Sequence, residues 1–489
     1  MSYLRGPDRS EVQLLPACLD DYVPANAAAR FIDAYVEGLD FQTLGFSHAQ
    51  PNATGRPPYH PADLLKLYLY GYLHRIRSSR RLEAEAARNL ELMWLLRGVR
   101  PDFKTIADFR KDNRAAFKPL FKNFNLLCRQ LELFGAELVA IDGSKFKALN
   151  NSRRHYTQKQ LGELIQKIES RIEEYLSQLD EQDQAAQGVA RAPSASALKE
   201  KLALLEERKG RYEELLGELQ NQQQNEVSLT DPDARKMKGA HGHLIGYNVQ
   251  VAVDAKHDLI VVEEVTQAAN DLGQLATVAV AAREELQARN LKVVADKGYH
   301  AADQLEACEQ ASIETFVPAQ TQSRPKDKNG KPLFAKEQFR YEAAADVYHC
   351  PGGQKLARTI QEYNHGKERH VYSDSAACRA CALRAQCTVA PYRRIVRRPN
   401  EEVVERAAVR VAGRPDLVAQ RKEVVEHPFG TLRLWGCGEF LMRGLEKVRA
   451  EFSLSALTYN LRRVLNLLPI ADLIAALQRS RSQRANAGA

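Results

Sequence analysis

Two short apolar segments of this chain each end at an aspartate, and a glycine follows closely behind it. Residues 138–141 run into Asp142, and residues 293–295 run into Asp296. Apolar runs of this length predict buried strands, in which an unpaired carboxylate is costly. A divalent cation shared by two carboxylates relieves that cost, although a single Asp before Gly is often only a turn residue. The pair therefore favours a metal site at the end of two strands.

The segments around these aspartates predict a mixed α/β sheet. Residues 246–266 alternate apolar and polar side chains on both sides of the turn "AKHD", which predicts a hairpin. A helix follows, with Asn270 or Asp271 as its expected cap, and residues 301–310 predict another. Two insertions, residues 157–222 and 320–398, interrupt this part of the chain. Without them, the order of elements is strand, hairpin, helix, strand, helix, strand, helix. Such an order indicates a sheet with helices on its faces, whose ligands gather at strand ends.

The N-terminal part predicts a helical domain that is strongly basic. Apolar residues recur there at helical spacing, and residues 60–122 hold 14 Lys or Arg against 7 Asp or Glu. The stretch "RSSRR" places Arg77, Arg80 and Arg81 at an expected helix junction. A basic block of this kind suits a polyanion such as DNA. A helical bundle with solvated charged faces explains the block alone equally well.

The first insertion, residues 157–222, is acidic and carries a heptad pattern. Residues 160–226 hold 8 Lys or Arg against 14 Asp or Glu. Two apolar seams, separated by a polar break, predict an antiparallel coiled-coil hairpin without catalytic residues. Their members are Leu161, Ile165, Ile168, Ile172, Tyr175 and Leu179, then Leu198, Leu202, Leu205, Tyr212, Leu216 and Leu219.

The second insertion, residues 320–398, is expected to be irregular and basic. It holds 16 Lys or Arg against 7 Asp or Glu, and four of the eight cysteines. These four are Cys350, Cys378, Cys381 and Cys387. The C-x2-C step and the total of four suit a structural Zn²⁺ ion. An iron–sulfur cluster or unligated thiols are the alternatives.

Composition points away from membranes and secretion. Of the 489 residues, 44% are apolar and 27% charged, as in soluble globular proteins. No apolar run is long enough to span a bilayer, and the first residues lack the apolar core of a signal peptide. We therefore expect a cytoplasmic protein with no membrane partner, and one associated with the nucleoid if it binds DNA.

Several motifs in a fixed order resemble the transposases of bacterial insertion sequences, in the DDE class with a ribonuclease H-like catalytic core. The motifs are "AIDGSKF", "TDPDAR", "GYNVQVAVD", "ADKGY" and "VEHPFGTLR". The basic helices look like the N-terminal domain of the same enzymes. The resemblance implies a catalytic triad of Asp142, Asp296 and Glu426 that binds Mg²⁺ or Mn²⁺, with two ions expected. It also implies cleavage and transfer of DNA strands.

Basic residues around the triad are candidates to hold DNA phosphates. Such families often carry a tyrosine, an arginine and a lysine around the Glu, and here Ala419, Lys422 and Arg433 stand at those spacings. Lys145 is a further candidate near the first Asp. The implied partners are the terminal inverted repeats of an element, its target DNA, and a second copy of the chain or more.

The implied division of the chain has three parts. Residues 1–130 form the DNA-binding domain, residues 131–469 the interrupted catalytic domain, and residues 470–489 a polar tail. Two other functions share these motifs, a ribonuclease H-like nuclease without strand transfer and a non-catalytic DNA-binding protein derived from a transposase. Asp231 and Asp233 are either extra acids of the site or part of a polar loop, and the turn signal Asp-Pro-Asp favours the loop.

Overall fold

The computed structural model describes residues 18–50, 57–150, 154–184, 195–221, 224–239, 242–320, 325–364 and 367–487. These residues form a mixed α/β protein, which confirms the expected fold class at that level. No helix among them combines the length and the apolar character that crossing a bilayer requires.

The N-terminal region is helical, as its periodicity predicts. Its helices are α1 (Ala28–Val36), α2 (Pro61–Leu73), α3 (Ser79–Arg88), α4 (Leu90–Leu95), α5 (Phe103–Asp112) and α6 (Phe117–Gln130). Helix α2 is buried along almost its whole length. Its one ammonium group, on Lys66, is paired with Asp33 at 2.7 Å and Glu37 at 2.5 Å. Burial of that charge depends on these two partners.

A pair of long helices follows β1 (Leu138–Lys147). Strands β2 (His155–Thr157) and β3 (Glu226–Ser228) pair at its base, and α7 (Gln158–Gln184) and α8 (Ala195–Asn221) lie between them. The two expected seams meet in a separate apolar cluster whose buried members are Leu161, Ile165, Ile168, Tyr212 and Leu219. The helix pair is therefore present, while its supercoiling stays a prediction. The side chain of Leu179 lies outside the described residues.

The main sheet has six strands and carries both aspartates. After β1, the chain adds β4 (Arg235–Gly239), β5 (Gly242–Asp254), β6 (Leu259–Thr266), α9 (Leu275–Leu286), β7 (Leu291–Ala295), α10 (Ala302–Gln310) and β8 (Ile313–Phe316). The strand order is β4-β5-β1-β7-β8, with β6 beside β5. Strand β1 is antiparallel to β5 and parallel to β7, which is parallel to β8. The expected hairpin, helices and strands occur in the predicted order.

The cysteine-bearing insertion is more regular than its sequence suggests. It forms a second sheet from β9 (Arg340–Glu342), β10 (Val347–His349), β11 (Lys355–Asn364), β12 (Lys367–Ser373) and β13 (Ile395–Arg397), in the order β13-β12-β11-β10-β9. Two short helices, α11 (Ser375–Arg379) and α12 (Arg384–Cys387), lie between the last two strands. The expectation of irregular structure was wrong because most of the strands are short and their few buried side chains stand among many charges.

Helices cover both faces of the main sheet. Val139 and Ile141 of β1 pack with α9, α10 and α13 (Glu401–Gly413). The alternate residues Ala140 and Phe146 pack on the opposite face, which lies in the same cluster as α14 (Pro415–Leu434) and α15 (Leu445–Leu467). Because successive strand residues point to opposite faces, Asp142 belongs to the face that α14 and α15 cover.

The last described residues, where a polar tail is expected, form a helix. Helix α16 (Ile470–Ala487) packs against α1. Leu473 and Leu477, four residues apart and so on one helix face, are buried in the core that holds the N-terminal helices. Two leucines among many polar residues gave too weak a periodic signal to be recognised.

Candidate active site

Asp142 and Asp296 lie side by side on neighbouring strands. In the parallel pair of β1 and β7, Ile141 is in register with Ala295, so the next residue of each chain segment is an aspartate. Neighbouring strands are about 4.8 Å apart. Both side chains also point to the face covered by α14, since each follows a residue of the opposite face. The fold thus brings together two carboxylates that are far apart in sequence.

Burial and charge together perturb Asp142. Its carboxylate accepts a hydrogen bond from the N–H of Gly143 at 2.8 Å and forms an ion pair with Arg421 at 3.2 Å. Burial raises the pKa of Asp142 to about 6, even though Arg421 and the Gly143 N–H oppose it. The nearby negative charges of Asp296 and Asp271 add to that rise. A perturbed carboxylate with acidic neighbours is typical of a functional site.

The glycines behind the two aspartates have structural reasons. At Gly143 a Cβ atom would lie 2.3 Å from the amide nitrogen of Gln250 and 2.6 Å from a carboxylate oxygen of Asp271. At Gly298 it would lie 2.8 Å from the Asp296 carboxylate, which accepts a 2.7 Å hydrogen bond from the Gly298 N–H. The absence of a side chain at Gly143 therefore leaves room for Gln250 and Asp271, and its absence at Gly298 leaves room for the Asp296 carboxylate.

Asp271 is a feature of the site that sequence reasoning missed. It does not cap α9, whose N-cap is Gln274. Its carboxylate accepts hydrogen bonds from Lys145 at 3.0 Å and from Asn248 and Gln250 at 2.7 Å each. These partners lie behind Asp142, on the opposite face of β1 and β5. Asp271 thus holds side chains of β1 and β5 behind Asp142 and adds negative charge near it.

Helix α14 packs against the face of the sheet that carries Asp142 and Asp296, which we call the aspartate face. A row of its side chains points toward that face. Val425 and Phe429 are buried, and the ring of Phe429 lies 6.1 Å from that of Phe146. Arg421, one turn before Val425, reaches Asp142. The sequence showed Arg421 only as one of several bases, because an ion pair between residues 279 positions apart leaves no local pattern.

Glu426 lies on the same helix but turns toward solvent. Its side chain is 63% exposed and forms an ion pair with Lys422 at 3.8 Å. Within the described part of the chain, no group of three or more His, Cys, Asp or Glu side chains is arranged to hold a metal ion. The structure therefore joins Asp142 with Asp296 and does not bring Glu426 to them in this arrangement. Its place in the triad stays a prediction.

Two of the expected DNA-binding residues have other partners. Arg77 is only 10% exposed and pairs with the buried Glu451 at 2.5 Å. This buried carboxylate belongs to the distant α15, which the local stretch of arginines does not reveal. Lys145 is also turned inward, to Asp271. Both assignments to DNA contact stay predictions, and these inward contacts do not support them.

The other expected phosphate ligands are accessible. Arg80 and Arg81 are exposed at the start of α3, and Arg80 lies over the ring of Phe103 at 5.2 Å. Arg433 is exposed and donates to the hydroxyl of Ser144 at 2.5 Å, which places it two residues beyond Asp142 along the same face of β1. Lys422 is exposed beside Glu426. These four cations remain candidates for contact with DNA.

The acids of the Asp-Pro-Asp turn are structural. Asp231 is buried and accepts hydrogen bonds from the hydroxyl of Tyr247 at 2.9 Å and the N–H of Gly444 at 3.1 Å. Asp233 accepts from the N–H of Leu445 at 2.8 Å, at the start of α15. The loop interpretation is therefore correct, and the loop anchors α15.

Comparisons with known proteins give two family matches. A model described as a transposase domain (DUF772) matches residues 17–112, and a model described as a transposase DDE domain matches residues 349–465. The first range contains the basic helices, and the second contains the cysteines and Glu426. Asp142 and Asp296 lie outside both ranges.

The chain was also compared with curated proteins and with solved structures. No curated protein matches the chain. Among solved structures, a cryo-EM structure of a piggyBac transposase synaptic complex with hairpin DNA matches with 8% sequence identity and a TM-score of 0.31. That match covers 93% of this chain and 76% of the other.

Proposed function

We propose that this chain, which is a DDE-class transposase of an insertion sequence, cuts and joins DNA at a site built on Asp142 and Asp296. The register of β1 and β7, which makes the two aspartates neighbours, is the observation that carries the proposal. The parallel strands β1, β7 and β8, beside the antiparallel β5 and β6, support a ribonuclease H-like core.

The residues around Asp142 fit a divalent cation. A buried carboxylate whose pKa is raised lacks a strong positive partner, and Arg421 is a weak one. Within the described residues, Nη1 of Arg421 is buried and makes no hydrogen bond, although it lies 3.2 Å from the carboxylate. Hard cations such as Mg²⁺ or Mn²⁺ prefer carboxylate oxygens. Asp142 and Asp296 are therefore the proposed ligands, with two ions as the expected number.

Each group has a role in the proposed reaction. Asp142 and Asp296 would hold ions of this kind, which would supply activation of a water or a 3′-hydroxyl and stabilisation of the leaving oxygen. Asp142 and Asp296 fix the position of the site on a rigid sheet. Arg433 and Lys422 bind phosphates of the DNA strand. When a phosphate takes Lys422, its ion pair with Glu426 is lost, and Glu426 becomes free to complete the triad.

The proposed partners are DNA and further copies of the chain. The DNA partners are the terminal inverted repeats of the element and its target, and a dimer or a larger assembly forms on them. Exposed Arg80 and Arg81 support contact between the N-terminal helices and the DNA. The corresponding location is the cytoplasm, in association with the nucleoid.

The test is cleavage of labelled DNA that carries the ends of the element, with purified protein and Mg²⁺. We expect Asp142→Asn, Asp296→Asn and Glu426→Gln each to lower cleavage by roughly 10³-fold or more, and double variants to lose little more, because the three act as one unit. All variants should remain folded and bind DNA.

A matched control is Glu423→Gln, the same change at another exposed position of α14, which should cleave normally. Substantial cleavage by Glu426→Gln would remove Glu426 from the triad. Normal cleavage by either Asn variant would contradict the proposed site. Cleavage without joining of the released end to target DNA would indicate a nuclease that lacks strand transfer.

A further inference from the structure

Four cysteines of the second sheet surround one small cavity. Cys350 directly follows β10, Cys378 lies in α11, Cys381 lies between the two short helices, and Cys387 ends α12. All four line a cavity of about 30 Å³, together with apolar side chains that include Phe334, Phe339 and Leu356. A space of this size suits a single small occupant. Segments that are separate in sequence thus meet at one point.

Two of the four sulfurs approach the same point of the backbone. A Cβ atom at Gly352 would lie 3.5 Å from the sulfur of Cys381 and 3.6 Å from that of Cys350. Cys350, Cys378 and Cys387 also pack against the same small apolar cluster of the second sheet. All four are free thiols, so no disulfide explains their convergence.

The turn after Cys350 is shaped around its sulfur. The N–H of Gln354 donates a 3.3 Å hydrogen bond to this sulfur, and the N–H of Gly353 donates to the Cys350 carbonyl at 2.9 Å. Gly353 has φ of +77°, a conformation that favours glycine. An N–H donor stabilises a thiolate more than a thiol, and donors to the ligand are typical of metal sites.

Charges near the cavity also favour a metal thiolate. Four thiolates around one divalent cation carry a net charge of −2. Arg384 and Arg393 line the same cavity and supply two positive charges. The carboxylates Asp142 and Asp296 do not belong to this group, so its metal would be independent of the catalytic ions.

We propose that Cys350, Cys378, Cys381 and Cys387 bind one zinc ion that joins the β10–β11 turn to the segment of α11 and α12. The described residues do not yet hold three such ligands in position for a metal, so the sulfurs must turn inward. Zn–S bonds near 2.3 Å require the four sulfurs to converge on one point. Rotation about each Cα–Cβ bond brings them there. The zinc stabilises the insertion and takes no part in the DNA chemistry.

The test measures metal in the purified full-length chain. We expect about one zinc per chain, no visible absorption from iron, and release of the zinc as a mercurial reagent titrates the cysteine thiols. Replacement by Co²⁺ should give the intense absorption of a tetrahedral tetrathiolate site. Cys381→Ser and Cys350→Ser should lose most of the zinc, whereas Cys308→Ser, which changes an isolated buried cysteine, should keep it.

Each contrary result is decisive. Bound iron with charge-transfer absorption would replace the zinc assignment with an iron–sulfur cluster. A chain without stoichiometric metal, or with zinc that Cys381→Ser leaves unchanged, would overturn the proposal. The mercurial and cobalt measurements use the unaltered protein, so they decide the matter even if the serine variants fail to fold. None of these readouts depends on DNA cleavage.

Discussion

At Asp142 the protein holds a carboxylate that its surroundings do not favour in the charged form. The carboxylate is 24% exposed, and Asp296 and Asp271 are close enough to disfavour its ionisation. Arg421 compensates only in part, because burial still dominates the pKa. Such a residue costs stability in the free protein, and the cost is recovered when a cation binds.

Asp142→Asn should therefore stabilise the metal-free protein at neutral pH. The pKa of Asp142 is about 6 in the folded chain against 3.8 in the unfolded chain. The folded state thus binds more protons between these values, and its stability falls as the pH rises through them. We expect Asn to raise the free energy of unfolding by about 1–2 kcal/mol at pH 8, less than the ~3 kcal/mol equivalent of the shift, and by almost nothing at pH 4.

Urea unfolding with EDTA across that pH range measures the effect. Added Mg²⁺ should stabilise the wild type and leave Asp142→Asn unchanged, which reverses their order. If the Asn variant were instead less stable at pH 8, the carboxylate would be a net source of stability and the argument for a cation at Asp142 would fail.

Residue-level prediction from the sequence depended on a local pattern. Asp142 and Asp296 stand at the ends of apolar runs, which led to the prediction that they lie together, and the register of β1 and β7 makes them neighbours. Asp271 and Arg421 were missed because their roles arise from contacts with strands and helices far along the chain. The contact of Arg77 with Glu451 was missed for the same reason.

At the scale of elements, different sides of helix α14 carry residues with different contacts. Arg421, Val425 and Phe429 recur every four residues on the side of the sheet, while Glu426 follows Val425 and so lies about 100° around the helix. The helix passes through Pro428 without ending, up to Leu434. Glu426 therefore lies to one side of the row that faces the sheet, and its side chain is exposed.

Helix α3 should contact DNA through its exposed arginines. The double variant Arg80→Ala, Arg81→Ala should weaken binding of duplex DNA in the absence of Mg²⁺. It should also reduce the slope of log K against log salt by up to about 2, because each lost phosphate contact removes about 0.9 from the slope. Fluorescence anisotropy at several salt concentrations measures both quantities.

The control is Lys167→Ala, Arg171→Ala, which removes two exposed charges from the acidic helix pair and should leave the slope unchanged. Equal losses in both double variants would mean a general effect of net charge. An unchanged slope in the α3 variant would place the DNA contact on another element.

Elements with strong periodicity were predictable, and those without it were not. The helix pair, the central hairpin and the N-terminal helices follow from spacing alone. The short strands of the cysteine-bearing sheet and α16 were missed, since each buries only a few apolar residues. Burial of a few residues against a distant partner leaves almost no trace in the local sequence.

At the scale of the whole molecule, the N-terminal helices are not separate from the rest. One apolar cluster contains residues of α2 and α6 together with residues of β5, α14 and α15. Asn460 of α15 donates to Asn125 of α6 at 2.9 Å and to the carbonyl of Ile260 in β6 at 2.8 Å. The expected boundary near residue 130 therefore crosses a shared core, so isolated residues 1–130 would expose apolar surface.

The ion pair between Arg77 and Glu451 should hold these parts together. Glu451 is fully buried, and it also accepts hydrogen bonds from the N–H groups of Leu441 at 3.0 Å and Met442 at 2.9 Å. Removing the guanidinium leaves a buried carboxylate without its charge partner. We expect Arg77→Ala to lower the free energy of unfolding by about 3–5 kcal/mol, whereas Arg81→Ala, at an exposed position, should change it by less than about 0.5 kcal/mol.

Urea unfolding followed by both fluorescence and circular dichroism tests this coupling. The two probes should report one shared transition in the wild type, because a shared core unfolds as a unit. Arg77→Ala should move that transition to lower urea or split it, with the N-terminal helices unfolding first. Addition of Glu451→Gln should restore part of the loss, since the amide removes the unpaired charge. A small effect of Arg77→Ala, together with two separate transitions in the wild type, would show that the helical region is an independent domain after all.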